Sequence, residues 1–184
     1  MATLLAACVV SRLHDDAGTV GTTAIDKQPV YGYVKVGTLG LFADVQADRT
    51  HHGGEQKAVY AYGVEDADWW AQQLGREIPP GMFGENLRVA GLDVSNARVG
   101  ERWRIGDGAD PVVLEVTRPR VPCMTFARWM GEESNGWVRR FSDARRLGTY
   151  LRVVKTGKVR AGDPIELICA PEGAPTILDI YQAP

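Results

Sequence analysis

Apolar and polar residues alternate along this chain mostly in short runs, and those runs predict strands. Met1 to Val10 is almost wholly apolar and reads as a first buried strand. In Lys57-Ala58-Val59-Tyr60-Ala61-Tyr62, Val59 and Ala61 fall on one face of a strand, and the two tyrosines on the other. Val34–Val36, Arg102–Ile105, Val112–Thr117, Tyr150–Lys155 and Pro164–Cys169 read as further short strands separated by glycine turns. Helical spacing is clearest over Val64–Leu74. There Ala67, Trp70, Ala71 and Leu74 make an apolar stripe, Glu65, Asp66 and Asp68 favour the N-terminal end of the dipole, and Gly75 closes the helix. Shorter helices are predicted over Met124–Met130 and from Trp137 to about Arg145, and Arg12–Thr22 reads as a polar turn or loop. The pattern predicts a mainly β fold of α+β type, a β-rich barrel with a few short helices inserted.

Length and charge narrow the class. A chain of 184 residues, 45% hydrophobic, can bury one sizeable core and is read as one domain over residues 1–170 with a short tail over 171–184. The tail holds a largely apolar Ile177-Leu178-Asp179-Ile180-Tyr181 segment, to be packed back on the domain or onto a second copy in a homodimer. A net charge of −2 gives no general attraction to nucleic acid or anionic membranes, so anion binding must be local. The one dense basic patch is Arg139, Arg140, Arg145 and Arg146, whose plainest meaning is a solvated helix face. The apolar start lacks a basic leader region and is far shorter than a membrane span, which predicts a cytoplasmic protein. Three scattered cysteines, Cys8, Cys123 and Cys169, fit neither a disulfide framework nor a structural zinc site, and point to a reducing compartment.

Chemistry concentrates in a few segments. In Arg118-Pro119-Arg120-Val121-Pro122-Cys123, two prolines predict a rigid corner. Two guanidinium groups near a thiol favour its thiolate, the nucleophilic and metal-binding form, although a buried structural cysteine is the competing reading. Lys27 is placed on a loop or strand end before Pro29. Asp44, Gln46 and Asp48 are spaced two apart, so that in extended chain they share a face, either solvated or lining a polar cavity. The glycines of His51-His52-Gly53-Gly54 permit close backbone approach to a ligand. Glu85 and Asn86 sit in a Gly- and Pro-punctuated loop and either position a ligand or cap neighbouring backbone.

Taken in order, these segments resemble the MOSC domain family, named after the C-terminal domain of molybdenum cofactor sulfurases. The matching pieces are Thr23–Val30 with Lys27, Asp44-x-Gln46-x-Asp48-x-x-x-His52-Gly53-Gly54-x-x-Lys57, Gly81-x-Phe83-Gly84-Glu85-Asn86-Leu87, Arg118–Cys123 and Gly162-Asp163. The likeness runs from about residue 3 to 169 and is nearest to the small stand-alone bacterial members of the YiiM type. Those carry an additional small helical C-terminal region, for which the fourteen residues after Ala170 are too few.

The resemblance implies a β-barrel that binds the molybdenum cofactor, a pterin dithiolene with a terminal phosphate, and a Cys123 sulfur that ligates the metal. It further implies cofactor contacts from Lys27, Arg118 and Arg120, a pterin or substrate side formed by Asp44, Gln46, Asp48, His52, Gly53 and Gly54, and completion of the site by Glu85 and Asn86. Cys123, Asp44 and His52 are the residues expected nearest the chemistry. Similar proteins reduce N-hydroxylated compounds such as hydroxylamino-purines and amidoximes. Three cysteines are too few for a four-cysteine iron–sulfur centre plus a metal ligand, and no flavin or nicotinamide fingerprint is present. Electrons are therefore expected from a separate reductase or carrier. No pyridoxal phosphate is expected, because its domain has no room here. Two other readings stay open, a non-catalytic cofactor carrier or sulfur-transfer module, and a cofactor-free cysteine enzyme or redox sensor.

Overall fold

The computed structural model describes residues 1–18, 20–45, 53–132 and 134–182. In chain order its strands are β1 (Ala2–Val10), β2 (His14–Asp16), β3 (Gly21–Thr23), β4 (Lys27–Pro29), β5 (Val34–Gly37), β6 (Gly40–Leu41), β7 (Val59–Gly63), β8 (Leu87–Ala90), β9 (Arg102–Ile105), β10 (Val112–Pro119), β11 (Thr149–Lys155), β12 (Gly157–Val159) and β13 (Pro164–Cys169). The helices are α1 (Val64–Leu74) between β7 and β8, then α2 (Met124–Trp129) and α3 (Gly136–Ala144) between β10 and β11.

Among the described residues seven strands close into a barrel in the order β13, β9, β10, β11, β7, β8, β1, and β1 pairs back onto β13. All its pairings are antiparallel except β7 with β8, which are parallel and joined through α1, as a crossover connection requires. β4 pairs with the C-terminal end of β1 outside this ring. The barrel predicted from the sequence is present, as are the three helices, and the α1 bounds agree with the periodicity. Gly75 ends α1 in the left-handed conformation and donates its N–H to the Ala71 carbonyl.

Strand alternation sorts the core into two bodies. Val59 and Ala61 of β7 point into the barrel with Leu4, Val89, Trp103, Ile105, Leu114, Val116, Leu151 and Ile165. Tyr60 and Tyr62 point outward into a second cluster that the helices cover, with Trp70, Phe83, Phe126, Trp137 and Phe141. Trp70 stacks on Phe141 at 5.5 Å between ring centroids, and Phe126 meets Phe141 edge-on at 5.0 Å. Burying each such ring is worth about 1.5–3 kcal/mol.

The sequence reading needs correction in three places. Arg12–Thr22 is not merely a loop, since β2 and β3 form a hairpin there. Lys57 ends a 3-10 turn, Glu55–Lys57, and the strand starts only at Val59. The glycine turn expected between Tyr150–Lys155 and Pro164–Cys169 is itself paired, since Gly157 opens β12, which pairs with β5. The tail packs back on the barrel. Ile177 is fully buried and donates to the Ala97 carbonyl at 2.9 Å, and the Tyr181 hydroxyl meets Ser142 Oγ at 2.7 Å.

Candidate active site

A cavity of about 120 Å³ lies against the outer face of the barrel wall, where β7 and β11 meet the second cluster. Tyr60 and Tyr150, register partners across those strands, form part of its wall, with their rings 5.3 Å apart. Burial pushes the phenols of both well up, so they stand as neutral hydroxyls.

The corner expected at Arg118–Cys123 is present. β10 ends at Pro119, and Cys123 is the extended residue that caps the start of α2. The half-buried Cys123 lines the cavity. Arg120 is buried beside it, with its guanidinium 3.7 Å from the Phe126 ring centroid and 5.2 Å from that of Tyr60, and donates to the Phe83 carbonyl at 2.8 Å. Both Arg120 and Arg128 of α2 act electrostatically on Cys123. Arg118 is exposed and outside the cavity wall.

The opposite side is a buried polar network. Lys27, first residue of β4, forms an ion pair with Asp44, and both side chains are about nine-tenths buried. Asp44 Oδ1 accepts the Val10 N–H at 2.9 Å, and its Oδ2 accepts from Asn86 Nδ2 at 2.7 Å. Asn86 also donates to the Cys8 carbonyl at 3.2 Å and accepts the Tyr60 N–H at 3.1 Å. That last bond fixes which end of the amide faces Asp44. Behind the network Cys8 is fully buried, and desolvation, reinforced by the Glu85 charge, pushes its thiol up to about 12.

Glu85 and Asn86 divide the two roles weighed for them. Asn86 lines the cavity, whereas Glu85 is fully buried and turned back on its own loop, accepting the N–H groups of Gly81 at 2.8 Å and Phe83 at 3.0 Å. It also pairs with Arg88, buried to 2% exposure, which donates onward to the Ile78 carbonyl at 3.0 Å. Gly81 has φ +89°, and a Cβ there would lie 2.2 Å from the Lys27 carbonyl oxygen. Only glycine lets this loop reach Lys27.

Of the residues singled out in the sequence, the structure therefore gathers Lys27, Asp44, Asn86, Arg120 and Cys123 around one cavity. Glu85 and Arg118 lie outside the wall, as do Gly53 and Gly54, which open the 3-10 turn before β7. Gln46, Asp48 and His52 fall outside the described residues. Sequence reasoning gave no site role to Lys57, Tyr150 or Thr125 in the wall, nor to Arg88 behind it, although Lys57 closes one of the matching segments. Arg88 had a signal, a lone arginine inside an apolar strand three residues after Glu85. Lys57 is 5.9 Å over the Tyr150 ring, a contact between a 3-10 turn and β11 that no local pattern encodes.

Among the described residues, the charged groups of the wall are three cations, Lys27, Lys57 and Arg120, and one carboxylate, Asp44. The sequence matches the MOSC domain family over residues 48–166. The chain belongs to the MOSC domain family. It is 35% identical over 146 residues to YflK of Bacillus subtilis (strain 168), covering 79% of this chain and 63% of that protein. It is 31% identical over 150 residues to YiiM of Escherichia coli (strain K12), with 79% and 64% covered. A protein named Reductase from Gibberella moniliformis (strain M3125 / FGSC 7600) is 32% identical over 170 residues, 88% of this chain and 28% of that one. The chain thus spans less than two thirds of the length of these relatives. The crystal structure of YiiM from Geobacillus stearothermophilus superposes with a TM-score of 0.76 at 26% identity, over 98% of this chain and 82% of that one.

The MOSC family is associated with the molybdenum cofactor, and the residues present fit such a group in their chemistry. One thiol stands in a wall whose charge favours an anion, beside aromatic faces. Among the described residues no three His, Cys, Asp or Glu side chains are grouped so as to hold a metal ion, and Cys123 is the thiol of the cavity wall.

Proposed function

We propose that this MOSC protein binds the molybdenum cofactor in the Cys123 cavity and reduces N-hydroxylated compounds such as hydroxylamino-purines and amidoximes. The observation that carries the reading is the placement of the Cys123 thiol in a wall with Lys27, Lys57 and Arg120. Cys123 is the metal ligand. Lys27, Lys57 and Arg120 balance the charge of the phosphate and dithiolene, with the guanidinium suited to paired contacts with oxyanions. When bound, the cofactor supplies two-electron redox chemistry at the nitrogen–oxygen bond.

The overall conversion is R–NHOH + 2 e⁻ + 2 H⁺ → R–NH₂ + H₂O. The chain's part is to hold, orient and neutralise. Arg120 is fixed by its bond to the Phe83 carbonyl and by the Phe126 face, so its charge is preorganised and needs little rearrangement when an anion arrives. Lys27 and Asp44, held together beside Asn86, are the pair placed to exchange a proton with a ligand in the cavity. The three cysteines of this chain are too few for a four-cysteine iron–sulfur centre beside a metal ligand, so electrons come from outside this MOSC domain.

The decisive test uses protein made in a cofactor-producing host. Metal content is measured first, then turnover of a hydroxylamino-purine with a chemical reductant. Molybdenum near one atom per chain with turnover is expected. Molybdenum without turnover supports the carrier reading instead, and loaded protein that leaves amidoximes untouched as well overturns the reductase reading.

A further inference from the structure

The β2–β3 hairpin forms part of the cavity wall through Val20, Thr22 and Thr23, yet among the described residues its two strands pair only with each other. Its neck is fixed, because the Ser11 N–H donates to the Asp26 carbonyl at 2.8 Å and His14 Nε2 meets Asp26 Oδ2 at 2.7 Å. Nearer its tip one carboxylate makes the attachment. Asp16 accepts Arg128 Nε at 2.7 Å on one oxygen, and Arg128 Nη2 at 2.7 Å and Thr125 Oγ1 at 2.9 Å on the other. Asp16 is buried, while Arg128 is partly exposed. The turn is shaped to the clip, since a Cβ on Gly18 would lie 2.4 Å from Arg128 Nη2. Thr125 and Arg128 both belong to α2, the short helix whose first cap is Cys123.

The cavity beneath this hairpin is about 120 Å³, whereas sites that enclose a cofactor-sized ligand run to about 300–1,000 Å³. A ligand of that size is enclosed here only if part of the wall moves. The hairpin, with a fixed neck and, among the described residues, side-chain bonds near its tip from Asp16 alone, is the part built to do so.

We propose that the β2–β3 hairpin is a roof over Cys123, and that the clip of Asp16 to Arg128 and Thr125 keeps it shut and sets access to the thiol. Asp16 is thus a positioning residue, acting through α2 and the roof. That the roof admits the molybdenum cofactor rests on the function proposed above; control of access to Cys123 does not.

The test needs no cofactor. In a Cys169→Ser background, which removes the exposed thiol, the cofactor-free protein is alkylated with iodoacetamide and Cys123 modification is followed by mass spectrometry. Cys8 is fully buried and serves as the internal control for unfolding. Arg128→Gln and Asp16→Ala are each expected to speed modification of Cys123 about tenfold, as loss of a charge-assisted bond raises the open population. Arg128→Gln gives the sharper answer, because its electrostatic effect has the opposite sign. Loss of a cation that acts on Cys123 disfavours the thiolate and slows alkylation, whereas an opened roof speeds it. Arg128→Lys keeps the charge but not the two-pronged geometry, and falls between wild type and Arg128→Gln. Should Asp16→Ala fail to fold, the partly exposed Arg128 variants still decide. Unchanged or slower modification in Arg128→Gln overturns the proposal, as does wild-type Cys123 reacting as fast as Cys169 in the unsubstituted protein.

Discussion

Asn86 Nδ2 and Asp44 Oδ2 meet at 2.7 Å, and through that contact one side of the cavity becomes a single hydrogen-bonded unit. Asp44 binds the end of β1 through Val10, and Asn86 binds its middle through Cys8 and β7 through Tyr60. Lys27 completes the set with its charge. The network thus couples the site to the two barrel strands that carry its backbone, and what perturbs one perturbs the other.

Asn86→Ala follows directly from this. The substitution strips partners from the Tyr60 N–H, the Cys8 carbonyl and one Asp44 oxygen, all in or beside the buried interior. Each buried polar group left short costs about 1–3 kcal/mol, so a total loss of about 2–4 kcal/mol is expected. Urea unfolding measures it, and a midpoint within experimental error of wild type would show that the network is not a structural tie.

Arg88→Met tests a different buried charge. It removes the counterion from Glu85, which has no exposure at all, and should destabilise the fold by about 3–5 kcal/mol. Glu85→Gln added to Arg88→Met removes the stranded charge and should recover a good part of the loss. Thermal unfolding of the two single variants and the double provides the cycle.

The barrel and helices were legible because strand alternation and helical spacing are local. Val59 with Ala61 and Tyr60 with Tyr62 foretold the two faces of β7, now the two cores. Site residues were legible only where covalent neighbours share an environment. Arg118 and Arg120 looked equivalent, yet β10 ends between them, so the parity of a strand no longer relates their directions and only Arg120 turns inward. Glu85 and Asn86 are adjacent and serve different ends for a similar reason, since the Gly81–Glu85 turn satisfies its backbone with the first and leaves the second facing the cavity. The Asp16 to Arg128 bond joins residues 112 apart, and no period in the sequence announces it.

Cys123→Ala should separate ligation from folding. The residue is half-buried at a helix cap, where truncation to alanine changes stability by about 1 kcal/mol or less. Molybdenum content should fall from near one atom per chain to background, while Cys169→Ser keeps the wild-type value. Metal analysis of the three proteins from the same cofactor-producing host checks this, and full loading of Cys123→Ala would remove the cysteine from the ligand set.

Ala43 carries a positive φ of 69°, a conformation costly for a residue with a Cβ, and it immediately precedes Asp44. Ala43→Gly relieves that cost but adds freedom to the unfolded chain, for a net stabilisation of about 0.5–1 kcal/mol. A rise in the denaturation midpoint at unchanged slope is the expected outcome.

Alkaline stability should be set in part by Cys8. Burial raises its thiol from 9.0 to about 12, so the unfolded chain loses that proton first. The stabilising contribution is fully present below pH 9 and is lost as pH rises through the folded value. Three pH units correspond to at most about 4 kcal/mol. Burial raises Tyr60, Tyr62 and Tyr150 as well, so they steepen the same alkaline loss and are common to any Cys8 variant. Cys8→Ala gives up packing worth about 1 kcal/mol but has no thiol to ionise. It should therefore be less stable than wild type at neutral pH and match or exceed it near about pH 10.5, where wild type has lost about 2 kcal/mol from this group. Parallel urea titrations across that range should show the two stability curves crossing, and curves that stay parallel would mean that the buried thiol does not govern the alkaline limb.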